Sequence, residues 1–218
     1  MIKVLEKAGC TVTYNSRQTC CGQAAFNAGY WEESKAVCQK FISDFNGSDP
    51  IVAPSASCVG FVKNYYSRLF DNSSLHHEVQ EMKLRIFEFS SFLCHQIGVT
   101  QFGARLSGLA TYHDSCAGLR ECGIKEEPRK LLKNVGGLEL VEMNETETCC
   151  GFGGTFAVKY ENISMAMAEQ KVENALATKA NYLISTDLSC LMQLNGYIQQ
   201  KGYSIKPLHL ADVLASGW

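Results

Sequence analysis

Two adjacent cysteines followed by glycine occur twice, as Cys20-Cys21-Gly22-Gln23-Ala24-Ala25-Phe26 and as Cys149-Cys150-Gly151-Phe152-Gly153-Gly154. Neighbouring Cα atoms sit about 3.8 Å apart, and in an extended strand successive side chains point to opposite faces. Bringing both thiols to one place requires a sharp turn, which the glycine after each pair can supply. One pair is compatible with chance. Two in matched settings mark a site.

The 11 cysteines lie in a chain of 218 residues that carries no export signal at its start, where Met1-Ile2-Lys3-Val4-Leu5-Glu6-Lys7 reads as part of an amphipathic helix. That places the chain in the reducing cytoplasm, where clustered cysteines bind metal or do redox chemistry more often than they form disulfides. Asn46-Gly47-Ser48, Asn72-Ser73-Ser74, Asn144-Glu145-Thr146 and Asn162-Ile163-Ser164 are then chance glycosylation matches. A net charge of −2 gives no reason to expect nucleic acid as a partner. No apolar stretch approaches the roughly 18 residues of a membrane span.

Strand and helix patterns alternate along the chain. A helix closed by Gly9 precedes an expected strand at Thr11–Tyr14, and a helix runs from about Tyr30 to Phe45. Ile51-Val52-Ala53 reads as a buried strand that turns through Ser55 and Cys58 into a helix. Leu75 to Ile97 reads as mostly helical, with Phe87, Phe89 and Phe92 in the core, and the glycine-containing stretch 98–108 as a boundary. The second half reads as a strand at Leu109–Tyr112, a helix opened by Pro128 and closed by Gly136-Gly137, and a strand at Leu138–Val141. A long helix from about Asn162 to Thr178 follows. Then come a strand at Tyr182–Ile184, a helix to about Gln200, a strand at Ile205–Leu208 and a helix at Leu210–Leu214. This alternation predicts an α/β architecture with largely parallel sheets.

The two halves match in order and spacing. Thr19, Asn15 and Val12 before the first pair correspond to Thr148, Asn144 and Val141 before the second. Ser57-Cys58 corresponds to Ser189-Cys190, each just after a strand and before a helix. The expectation is two pseudo-symmetric repeats, residues 1–100 and 101–218. The second also contains Cys116, at the end of its opening strand. The equivalent position in the first repeat falls before Met1, so the first repeat is expected to lack its opening strand and cysteine through N-terminal truncation.

The complete set is therefore Cys116, Cys149, Cys150 and Cys190, and the incomplete set is Cys20, Cys21 and Cys58. In α/β sheets ligands gather at the carboxyl ends of the strands, where all of these residues are expected. Four thiolates suit zinc or an iron–sulfur cluster. Zinc usually draws cysteines from pairs two to four residues apart. Adjacent cysteines bend poorly around one tetrahedral ion but can reach different irons of a cluster, which favours iron–sulfur and leaves zinc as the alternative. Ser55 and Asp187, each three residues before the downstream cysteine, read as strand-end turn residues. Cys10, Cys38 and Cys94 read as core, and Cys122 is left outside the set. His113 reads as orienting the loop of Cys116, and His209 as structural. Gly151-Phe152-Gly153-Gly154 lacks the Gly-Lys-Ser/Thr ending of a phosphate-binding loop.

The pattern of two Cys-Cys-Gly pairs, an upstream cysteine and a downstream Ser-x-x-Cys or Asp-x-x-Cys resembles the cysteine-rich CCG-domain family. That family includes a cysteine-rich component of heterodisulfide reductase and the iron–sulfur component of glycolate oxidase. Thr19–Gln23, Phe26-Asn27, Ala53-Pro54-Ser55, Tyr112–Cys116, Leu119-Arg120, Cys149–Phe156, Lys159-Tyr160 and His209–Ala211 carry the likeness, closest to its lactate-utilization branch, over the whole chain. The resemblance implies an electron carrier with a 4Fe-4S type of cluster in the oxidation of L-lactate to pyruvate. Its partners would be other subunits of a lactate-utilization complex, one of them a ferredoxin-type iron–sulfur protein. No flavin or nicotinamide motif is evident, so hydride chemistry falls to a partner. Ala24-Ala25 replaces the family's usual proline and alanine, a minor departure. The missing first cysteine puts the first site in doubt. A thiol–disulfide reductase of the heterodisulfide type and a zinc-stabilised binding module are the alternatives.

Overall fold

The computed structural model describes residues 1–218. The first half runs α1 (Ile2–Lys7), α2 (Gln23–Asn27), α3 (Trp31–Asp44), β1 (Ile51–Ala53), α4 (Ala56–Phe70), α5 (His76–Arg85), β2 (Ile86–Glu88) and α6 (Phe89–Ser91). The last continues as a π-helical turn, Phe92–Ile97, closed by Gly98. The second half runs β3 (Arg105–Tyr112), α7 (Cys116–Cys122), α8 (Glu126–Leu132), β4 (Gly136–Leu140), α9 (Thr155–Lys159) and α10 (Glu161–Ala177). It ends with β5 (Tyr182–Ser185), α11 (Leu188–Lys201), β6 (Lys206–His209) and α12 (Leu210–Leu214). The sheets are β1-β2 and β4-β3-β5-β6, and every pairing is parallel. The fold is α/β, as the alternation predicts.

Matching hydrogen bonds brace the two Cys-Cys-Gly turns. Ser34 Oγ donates to the Gly22 carbonyl at 3.0 Å, and Ser164 Oγ to the Gly151 carbonyl at 2.8 Å. Gly22 and Gly151 both have left-handed φ, +95° and +85°. A Cβ on Gly151 would lie 2.6 Å from the Ser164 carbonyl, and one on Gly22 would lie 2.7 Å from Cys38 Sγ. Both turns therefore need glycine for conformation and for space. The cores do not separate as the turns do. The largest cluster packs Val4, Leu5, Phe89 and Leu93 of the first half against Tyr112, Leu131, Leu132 and Leu214 of the second.

Several elements differ from the sequence reading. Thr11–Tyr14 forms no strand. The matching β4 pairs with β3, whereas 11–14 joins neither sheet, and a β-prone segment without a ladder partner stays irregular. The stretch from Leu75 to Ile97 is broken by β2, whose Ile86, Phe87 and Glu88 pair with Ile51, Val52 and Ala53. β3 extends back through the expected boundary to Arg105, and Gly108 sits where a Cβ would lie 2.7 Å from Asn181 Oδ1. Gly136 and Gly137 open β4 instead of ending α8.

Glu88 caps α6 and is 2% exposed. Its Oε2 accepts from Ser90 Oγ at 2.5 Å and from the Ser91 amide at 3.0 Å, while Oε1 has no partner. Burial pushes its carboxyl up to about 7, against the opposing pull of Ser90 and Ser91. A raised carboxyl contributes stability that is fully present below the unfolded-state value near 4.5 and is lost as pH rises through about 7. The gap corresponds to about 3 kcal/mol. Urea denaturation of the metal-free protein should show Glu88→Gln losing about 3 kcal/mol less than the parent between pH 4.5 and 8. Parallel curves would contradict the assignment.

Candidate metal centre

Cys58, Cys116, Cys149, Cys150 and Cys190 follow strands, in connections or in the first turn of a helix, whereas no strand precedes Cys20 and Cys21. Cys116 opens α7 behind Ser115, whose Oγ accepts from the Gly118 amide at 3.1 Å. Cys149 and Cys150 lie in the connection from β4 to α9. Cys190 stands in the first turn of α11, whose N-cap Asp187 accepts from the Ser189 amide at 3.2 Å. Cys58 occupies the equivalent turn of α4, and Cys20-Cys21 precede α2.

The structure brings these side chains into two groups. Cys116 and Cys149, Cys149 and Cys150, and Cys150 and Cys190 lie near enough to perturb one another's ionisation. In the other group Cys21 lies between Cys20 and Cys58. Cys150, Cys190 and Cys21 are buried, Cys116, Cys149 and Cys58 half-buried, and Cys20 exposed. The groups meet at the starts of α4 and α11. There Asp187 Oδ2 accepts from the Ser57 amide at 3.0 Å, beside Cys58.

Within the larger group one sulfur is favoured as an anion. Cys149 is held well below the ordinary thiol value, first by the hydrogen bond from Cys116, then by that from Cys150, with the Gly151 amide donating to its Sγ at 3.4 Å. Cys116 is pushed up, first by its contact with Cys149 and then by burial. Cys150 is pushed up by its contacts with Cys149 and Cys190 and by burial. In the smaller group the bond from Cys20 pulls Cys21 down, but contact with Cys58 and burial outweigh it and leave Cys21 at about 12. Thiols so placed cannot all ionise together without a cation among them. A soft metal centre meets that requirement, and the all-sulfur donor set fits it.

Two buried devices hold the larger group. Arg129 is bidentate to Asp114, at 2.9 and 2.8 Å, and bidentate to Glu142, at 2.7 and 2.9 Å. Its guanidinium lies 5.1 Å from the Tyr112 ring centroid. This clamp ties the tip of β3, which leads to Cys116, to the segment after β4, which leads to Cys149. Burial works against the guanidinium charge, but the bonds to Asp114 and Glu142 outweigh it and hold its pKa above the ordinary value. Lys171, fully buried, donates to the carbonyls of Glu145 and Thr146. Burial lowers its pKa, opposed by Asp114, Cys150, Glu145 and Cys149.

Cys149 borders an open cleft of about 540 Å³ lined also by Arg120, Glu145, Thr146, Glu147 and Thr148. A second cleft, at Ser107, Asn181 and Lys206, lies at the other end of the sheet, away from every cysteine of the two groups.

A sequence profile of the cysteine-rich domain family CCG matches residues 1–63 and 110–195. The chain belongs to this family. It is 41% identical over 216 residues to "Uncharacterized protein YkgE" of Escherichia coli K12, covering 99% of this chain and 90% of the relative. It is 38% identical over 213 residues to "Lactate utilization protein A" of Oceanobacillus iheyensis, covering 98% and 87%. The protein of that name in Lysinibacillus sphaericus is 41% identical over 214 residues, covering 98% and 94%.

Three residues around the CCG site escaped the sequence reading or were read too modestly. Lys171 lies on the buried stripe Ser164, Ala168, Lys171, Val172 and Ala175 of α10, and a lysine in such a stripe is the signal that could have found it. Arg129 follows Pro128 in the first turns of α8, and no motif or spacing in the sequence singles it out. His113, read only as an orienting residue, has a ring nitrogen that lies with Cys150 Sγ and Cys190 Sγ in a group all within 4.8 Å of one another. Cys38 is buried core and Cys94 half-buried, while Cys122 Sγ donates to the Ala56 carbonyl at 3.4 Å, outside both groups. His209 is structural, with Nε2 bonded to the Pro54 carbonyl at 2.8 Å and Nδ1 capping α12. No helix is long and apolar enough to cross a membrane.

Proposed function

We propose that this chain is the iron–sulfur electron-transfer subunit of a cytoplasmic system that oxidises L-lactate, with Cys116, Cys149, Cys150 and Cys190 as the ligands of its principal centre. The observation that carries the reading is the unbroken chain of neighbouring sulfurs from Cys116 through Cys149 and Cys150 to Cys190. The names of the relatives in Oceanobacillus and Lysinibacillus supply the substrate. A cluster bound there would supply one-electron transfer, and the cluster type is proposed as 4Fe-4S.

The roles of the chain's own groups follow from their placement. Gly151 lets the backbone turn closely enough for its amide to donate to Cys149 Sγ. The Lys171 ammonium, in the field of Cys149 and Cys150, offsets negative charge at the pair. The Asp114–Arg129–Glu142 clamp keeps the Cys116 turn and the CCG loop in register. We take residues 1–100 and 101–218 as the two repeats, with Cys20, Cys21 and Cys58 forming the lesser set. Hydride chemistry is assigned to the partner subunits, one of them a ferredoxin-type iron–sulfur protein, which would oxidise lactate and exchange electrons with this chain.

The test is anoxic reconstitution with iron and sulfide, followed by addition of L-lactate with and without the partner subunits co-purified from the host. The visible absorption band should bleach only when the partners are present. Failure to bleach with competent partners would overturn the electron-transfer assignment, and bleaching by lactate alone would place the oxidation on this chain.

A further inference from the structure

His113 is fully buried at the tip of β3, and its backbone is fixed on both sides. Its amide donates to the Ile184 carbonyl at 2.8 Å, and its carbonyl accepts from Ser185 Oγ at 3.1 Å. The ring is another matter. Neither Nδ1 nor Nε2 has a hydrogen-bond partner in the protein. A neutral imidazole carries one donor and one acceptor, and the large majority of buried side-chain polar atoms find at least one partner. Leaving such a group unsatisfied costs its full desolvation penalty. Phenylalanine would fill a comparable space without that cost.

The direction of the ring gives the imidazole a purpose. One of its nitrogens lies with Cys150 Sγ and Cys190 Sγ in a set whose members are all within 4.8 Å of one another. Metal–sulfur and metal–nitrogen bonds of about 2.3 and 2.0 Å give ligand-to-ligand edges of roughly 3.5 Å in a tetrahedral site. The separations exceed such an edge by at most about 1.3 Å, which the three groups would close on binding metal. Cys149 is also within electrostatic reach of the ring.

We propose that His113 is a nitrogen ligand of the centre, at the metal ion nearest Cys150 and Cys190. This deepens the reading of the four cysteines as ligands and rests on it. It makes the larger centre a mixed sulfur–nitrogen site. Imidazole is a neutral donor, so His113 adds a ligand without adding a further negative charge to a buried pocket.

Two measurements test this, and neither depends on lactate oxidation. In protein reconstituted with iron and sulfide, labelled with 15N-histidine and reduced, pulsed EPR should show the strong hyperfine coupling of a directly bound nitrogen. His113→Phe should lose it. Weak coupling alone, as from a hydrogen-bonded ring, overturns the ligand assignment. Separately, Co2+ titrated into metal-free protein should develop sulfur-to-cobalt charge-transfer bands, with His113→Phe binding at least about 10-fold more weakly. Equal affinity and an identical spectrum in the variant also overturn the proposal. Metal-free His113→Phe should be at least as stable to urea as the parent. Should it fail to fold, His113→Gln carries the same comparison. Wild-type protein that takes up no iron defeats the cluster reading, and the Co2+ measurement still decides the place of His113.

Discussion

Cys149→Ser should abolish iron binding at the larger centre while leaving the metal-free fold intact. Cys149 stands between Cys116 and Cys150 in the order of interacting sulfurs, and it is the thiol most favoured as an anion. A serine oxygen is a hard donor that stays protonated near neutral pH, so it replaces the sulfur in volume but not in chemistry. Because Cys149 is only half-buried and the change is nearly isosteric, stability of the metal-free protein should shift by less than about 0.5 kcal/mol. The loaded protein is different. Any group that binds only the folded state stabilises it by mass action, so wild type should gain thermal stability on loading and Cys149→Ser should gain far less. Equal iron retention in the variant would remove Cys149 from the ligand set.

Arg129→Met carries the largest expected penalty in the metal-free protein. The guanidinium side chain is 10% exposed and Asp114 is 1% exposed, so removing the cation strands a buried carboxylate. Breaking a buried pair in this way typically costs about 3–5 kcal/mol. For a chain of this size that lowers the melting temperature by roughly 6–20 °C. The effect should come mostly from the stranded charge and not from lost attraction. Removing both partners, as in the double variant Asp114→Leu with Arg129→Met, should therefore recover much of the loss. A single variant that melts with the parent would show that the clamp is not what joins the Cys116 turn to the segment before the CCG loop.

Much of this architecture was legible in the residues because its strongest signals are local. Strand patterns at Ile51–Ala53 and Tyr182–Ile184 and the helical period of α3 and α10 survive folding almost unchanged. The places of Cys58 and Cys190 were legible because Ser57-Cys58 and Ser189-Cys190 keep their order relative to the CCG pairs, and both open helices after strands. The errors were non-local. Whether Thr11–Tyr14 is a strand depends on a neighbour to pair with. Whether Ile86–Glu88 leaves the helical run depends on β1, which reaches it only after α4 and α5 have intervened in the chain. The same division holds at the site. Thiol clustering followed from motif spacing, whereas the buried positions of Lys171 and Arg129 and the orphaned ring of His113 arise only when distant elements pack together.

Anoxic determination of iron and acid-labile sulfide bound per chain, in wild type and in Cys149→Ser, tests the central claim most directly. Iron and sulfide should be present together in wild type, in equal molar amounts, and both should fall sharply in the variant. Protein that is colourless after reconstitution and retains only zinc, or iron and sulfide content unchanged by Cys149→Ser, would contradict it.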